Sequence, residues 1–180
     1  IKAPNVTVKN CEFTVPSAVW TYRAQPNCIK IQWTSGAVIE NNTFHLGRIQ
    51  DSPGSNSTAP VNGHSNVAIN VVGASVSDIT ICNNTLYATK PSDDLAAGST
   101  DEEKKALSAS VDMIIAIGNG NSAYGIDKLT IKGNTVDGSK DPENTRFAGL
   151  SNVNDFTIEK NTVQNAGVGT YQVYYKNETF

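Results

Sequence analysis

At 180 residues with a formal charge of −3, the chain has length for one domain and no basic excess with which to hold nucleic acid. No apolar run reaches the length of a membrane span, and no signal-peptide pattern is present, which in a segment of a longer protein says nothing about secretion. Three scattered cysteines, Cys11, Cys28 and Cys82, form neither a disulfide framework nor a CxxC zinc site and read as small core residues.

The first element is Val6-Thr7-Val8-Lys9-Asn10-Cys11-Glu12-Phe13, whose period-two alternation is that of a strand with one buried face. A long loop over 14–27 leads to a second kind of strand, Cys28-Ile29-Lys30-Ile31-Gln32-Trp33. Alternation points Ile29, Ile31 and Trp33 inward and Lys30 and Gln32 outward. After the short link Thr34-Ser35-Gly36, Ala37-Val38-Ile39-Glu40-Asn41-Asn42-Thr43-Phe44 restates the grammar of the first element. Arg48 and Asp51, in the loop 45–65 that follows, read as a surface ion pair.

The strand 66–72 then directs Val67, Ile69 and Val71 inward and Ala68 and Asn70 outward, and Asp78-Ile79-Thr80-Ile81-Cys82-Asn83-Asn84-Thr85-Leu86 is the repeat in its clearest form. In the loop 87–110, Thr100 and Glu103 make a capping box, and Asp101 stands i, i+4 from Lys105, so a short helix is expected over 101–109. The next strand, 112–118, is apolar on both faces, and the helix is expected to cover Ile114 and Ala116. Leu129 to Val136 and Phe156 to Val163 are further copies of the repeat, with weaker second-type strands at 146–153 and 171–175, and the tail Lys176-Asn177-Glu178-Thr179-Phe180 begins another copy.

Asn42, Asn84, Asn134 and Asn161 each precede a threonine and an apolar residue. Asparagine tolerates the left-handed backbone region, and its amide both donates and accepts, so stacked copies at a tight corner predict an asparagine ladder. The spacings from Phe13 to Phe44, Leu86, Val136 and Val163 are unequal. A coil of parallel strands accepts this because only the strands must stack, while each connection bulges outward independently.

The repeat resembles that of the right-handed parallel β-helices of the pectate-lyase-like superfamily, over nearly the whole chain. The expected fold is therefore all-β: a right-handed single-stranded parallel β-helix of about five coils, with one short helix in a loop. Residues 1–180 read as one β-helix domain, and a segment of a longer protein is expected, since an open β-helix end exposes strand edges that need a cap. Open ends also allow end-to-end self-association.

Members of that superfamily that cut acidic polysaccharides carry carboxylates, often with Arg or Lys, on the outer face of one sheet. Asp112, at the head of Met113-Ile114-Ile115-Ala116-Ile117, is similar to the strand of polygalacturonase-like hydrolases that carries an adjacent aspartate pair. Here the second aspartate is missing, the spacing differs by one residue, and the Gly-His-Gly expected on the next coil is replaced by Ala148-Gly149-Leu150. No catalytic residue is assigned. Asp93-Asp94 reads as a solvated turn, His45 and His64 as exposed histidines, and no metal site or cofactor is expected.

What remains is a surface. Lys30, Gln32, Asn70, Asp112, Arg146 and Tyr174, with Gln172, are candidates to contact carbohydrate from one outer face, beside loops carrying Trp20, Tyr22 and Tyr87. The expected function is an extracellular or cell-surface β-helix module that contacts a polysaccharide or glycan without recognisable catalytic machinery. Two alternatives stand beside it: a polysaccharide-degrading hydrolase or lyase, and a structural spacer or adhesin stalk.

Overall fold

The computed structural model describes residues 1–17, 27–48, 66–90, 110–118, 125–166 and the backbone of 171–174. The helix expected over 101–109, together with Trp20, Tyr22, Asp51, His64 and Asp93-Asp94, lies outside the described residues.

Each coil contributes three strands. The first holds β1 (Thr7–Lys9), β2 (Glu12–Val15) and β3 (Asn27–Gln32), and the second β4 (Val38–Glu40), β5 (Thr43–Leu46) and β6 (Asn66–Gly73). The third holds β7 (Val76–Cys82), β8 (Thr85–Ala88) and β9 (Val111–Gly118), and the fourth β10 (Ile126–Lys132), β11 (Thr135–Asp137) and β12 (Thr145–Ser151). The fifth holds β13 (Phe156–Glu159), β14 (Thr162–Gln164) and β15 (Tyr171–Tyr174). Strands at the same place in successive coils pair in parallel, giving three five-stranded sheets ordered β1-β4-β7-β10-β13, β2-β5-β8-β11-β14 and β3-β6-β9-β12-β15. This is a right-handed parallel β-helix of five coils. The one helical turn among the described residues is a 3-10 turn, Pro142–Asn144.

Each repeat copy was expected to be one strand, and the structure breaks it in two. The break falls at the ladder asparagine, where the chain turns from the first sheet into the second. The left-handed residue is the one before that asparagine, or before Cys11, which takes its place in the first coil: Asn10, Asn41, Asn83 and Lys160 have φ of 54–56°, and Gly133 has φ 64°. Asparagine and glycine take this conformation at low cost, which explains why the sequence doubles its asparagines there.

The ladder itself forms as expected. Nδ2 of Asn42 donates to Oδ1 of Asn84, Asn84 to Asn134, and Asn134 to Asn161, each at 3.0 Å. The same oxygens accept the backbone N–H of the preceding coil's asparagine at 2.9–3.0 Å. Each Nδ2 also reaches back to a strand carbonyl: Val8, Ile39, Ile81 and Ile131 accept at 2.9–3.0 Å. Cys11 ends the ladder in the first coil, its N–H donating to Asn42 Oδ1 at 3.0 Å. A corner that would otherwise bury unpaired amides is thus saturated.

Inside, side chains stack by kind. Val8, Ile39, Ile81, Ile131 and Ile158 are register partners in the first sheet, as are Phe13, Phe44, Leu86, Val136 and Val163 in the second. Phe13 and Phe44 lie parallel at 5.0 Å between ring centroids. Burying each full aliphatic or aromatic side chain stabilises by about 1.5–3 kcal/mol.

On the third sheet, Ile114 and Ala116 align with Ile69 and Val71 and point into the core. They are not an outer face awaiting a helix. The outward residues of β9 are Ile115, half-buried, and Ile117, exposed. Trp33, expected inward, is 56% exposed. The chain leaves the strand at Gln32 and turns through Trp33 in the left-handed region, φ 53°, so strand alternation no longer governs its direction.

Candidate functional site

The surface nominated from sequence divides into three columns on the third sheet. Lys30 stands beside Asn70, and that column continues through Ile115 and Gly149 to Gln172. Gln32 is followed by Val72, Ile117, Ser151 and Tyr174. Asp112 and Arg146 are neighbours in a third column. Lys30 and Arg146 are exposed, whereas Asn70 is buried and donates its Nδ2 to Asn27 Oδ1 at 2.9 Å. Asp112 is only 3% exposed and accepts the Ser110 hydroxyl at 3.1 Å. The strand starts in a buried corner shared with Asn66 and Thr145, which is why Asp112 does not face outward. Apolar Val72, Ile115 and Ile117 separate the polar members.

The second sheet gathers more chemistry. Its outer face carries one column of Glu12, Thr43, Thr85, Thr135 and Thr162, and beside it another of Thr14, His45, Tyr87, Asp137 and Gln164. Tyr87 therefore sits on a strand rather than a loop, and its side is 42% exposed. His45 stacks on its ring, centroids 5.3 Å apart and planes 15° apart. His45 Nε2 lies 3.1 Å from Glu12 Oε1, so the imidazole is held from both sides.

Beyond Tyr87 the face opens into a shallow groove of about 230 Å³ lined by His45, Tyr87, Ala88, Thr89, Asp137, Ser139 and Lys140. One wall is the turn after β11. Asp137 Oδ1 accepts the backbone N–H of Ser139 at 3.0 Å. That bond, then the Ser139 hydroxyl and the Asn165 amide, hold the Asp137 carboxyl below the usual range, against a small opposing effect of burial. The wall is fixed from beneath: buried Asp141 pairs with Arg48 Nε at 2.7 Å and accepts Asn144 Nδ2 at 2.9 Å, while Thr145 Oγ1 donates to the Asp141 carbonyl at 2.6 Å. Arg48 thereby reaches the loop two coils further on, while Asp51, its expected partner, lies outside the described residues. Its backbone N–H also donates to Ser17 Oγ at 3.0 Å.

This groove escaped sequence reading because it contains no contiguous motif. The signal that finds it is positional: His45, Tyr87, Asp137 and Gln164 each lie three residues after a ladder asparagine. Once the corner is placed, that offset puts all four on one outer column.

Chemically the groove offers an aromatic face, a fixed anion, an ammonium and hydroxyls. Among the described residues, Asp137 is the one carboxylate lining the groove, and no group of three or more His, Cys, Asp or Glu stands ready to hold a metal ion. No described helix is long and apolar enough to cross a membrane. No family model, no curated protein and no solved structure matches the chain.

Proposed function

We propose that this β-helix is a carbohydrate-contacting module of the pectate-lyase-like kind, working outside the cell or at its surface, and that it holds a glycan in the groove beside Tyr87. The observation that carries the reading is the Tyr87 ring, left exposed on a rigid strand and backed by His45. A planar ring of this sort receives the C–H face of a sugar, while Asp137, Ser139, Lys140 and Thr89 are placed for its hydroxyls.

The state of Asp137 favours holding over cutting. A general acid at a glycosidic bond needs a raised pKa and a second carboxylate across the bond. Asp137 is shifted the other way and is the one carboxylate among the described residues of the groove, which suits an acceptor of hydroxyl hydrogen bonds. The enzyme reading draws on one feature, the presence of Asp137 and Lys140 in the same groove.

A glycan-array screen of the whole chain, followed by a product assay on every glycan retained, tests the proposal. Retention without product, lost in Tyr87→Ala, is the expected result. Product formation abolished by Asp137→Asn would replace the module with an enzyme, and silence on every glycan would leave the spacer.

A further inference from the structure

The corner between the third sheet and the first is made by Trp33, Gly73, Gly118 and Asn152: Trp33 and Asn152 directly follow the last paired residues of β3 and β12, and at the same register Gly73 and Gly118 pair with each other at the ends of β6 and β9. Trp33, Gly73 and Asn152 have φ of 53°, 115° and 54°. Glycine and asparagine are the residues that take such a conformation readily, and tryptophan is not. The first coil nevertheless places a tryptophan there and leaves it largely in solvent. A left-handed tryptophan that gains so little burial calls for a use outside the core.

The surroundings are those of a small polar-rimmed platform. Lys2 Nζ stands 4.8 Å from the indole centroid. The pyrrole edge leans toward Gly73, where a Cβ would come within 3.2 Å of Nε1 and 3.3 Å of Cδ1, so the next coil makes room for the ring by having no side chain. Gln32 precedes the ring and is half-buried. Ile117, the other large exposed apolar residue on this side among the described residues, is two coils away, about 10 Å at the spacing of parallel strands. One indole flanked by an ammonium and an amide matches the footprint of a single sugar ring better than that of a protein interface, which needs a contiguous apolar core.

We propose that Trp33 is a second glycan-contact site, an aromatic platform on which one pyranose ring stacks, with Lys2 and Gln32 at its rim. The ligand class rests on the reading of the Tyr87 groove, but the site stands on its own residues, on a different sheet.

The test is a ¹⁵N–¹H NMR titration of the whole chain that follows the indole Nε1–H of Trp33, assigned by comparison with Trp20→Phe. The probes are cellohexaose, chitohexaose and xylohexaose, repeated in Tyr87→Ala. The proposal predicts that at least one probe shifts the Trp33 signal, that the shift survives in Tyr87→Ala, and that Trp33→Asn weakens binding of that probe at least tenfold. Because relief of the left-handed backbone offsets the lost ring contacts, Trp33→Asn is expected to unfold within about 4 °C of the parent. A signal that stays fixed while Tyr87-groove resonances move would overturn the Trp33 site and leave the groove reading standing. If no probe moves either set, both readings fall. A much larger loss of thermal stability in Trp33→Asn would show the ring to be structural.

Discussion

At the asparagine corner every coil uses a left-handed residue, followed by Cys11 in the first coil and by an asparagine in the other four, and the amides of Asn42, Asn84 and Asn134 bond the coils on both sides. At the corner after the third sheet the coils disagree, with a tryptophan, two glycines and an asparagine in turn. The difference follows from what surrounds each corner. The first buries polar amides, so a coil that departs from the pattern strands donors and acceptors of its neighbours. The second presents its residues outward at Trp33, where a change costs the neighbouring coils little. Constancy here marks structural demand, and departure marks a position open to function.

The largest expected effect is therefore at the middle of the ladder. Asn84→Ala removes the acceptor used by the Asn42 backbone and side chain, and the donor to Ile39 and Asn134. It should cost about 2–4 kcal/mol in urea unfolding. Asn161→Ala, at a half-buried end of the described ladder, should cost only about 1 kcal/mol. Equal costs at the two positions would break the claim that the ladder acts through burial.

Gly133→Ala comes next. It places a side chain on a left-handed backbone and against Asn83 Oδ1, so a loss of about 1–2 kcal/mol is expected, with Gly133→Asn closer to the parent. A neutral Gly133→Ala would mean that the corner is looser than its repetition implies.

The smallest effect separates two thiols. Cys11 is exposed at the head of the ladder, whereas burial raises the Cys28 thiol on the third sheet to about 11. Cys11 should be alkylated first at pH 8. A raised folded-state pKa gives stability that is complete below the unfolded value near 9 and is lost as pH rises through about 11, so Cys28 should contribute a falling limb above pH 9. Cys28→Ala should flatten that limb.

The fold was legible because its constraints repeat. Asn42, Asn84, Asn134 and Asn161 recur with the same neighbours, and the alternation around Ile39, Ile81 and Ile131 fixes which face is buried. Legibility stopped where a single residue turns the chain. Trp33 continues an alternating pattern in sequence, yet its positive φ swings it outward, and nothing in the pattern announces that turn. Asp112 likewise looked like an outward residue at a strand start, but it opens in a corner closed by neighbouring coils. The Tyr87 groove depends on coils separated in sequence by the loops, and the pairing of Arg48 with Asp141 spans 93 residues. Such contacts are set by the stacking, which sequence spacing alone does not reveal.

The central claim is that the outer column holding His45, Tyr87 and Asp137 binds glycan while the ladder beneath it supplies stability. Its most direct measurement is the affinity of Tyr87→Ala for the glycan best retained by the parent, taken by isothermal titration calorimetry alongside its unfolding midpoint. The account predicts at least a tenfold loss of affinity with the midpoint nearly unchanged. Undiminished affinity in a folded Tyr87→Ala would contradict it.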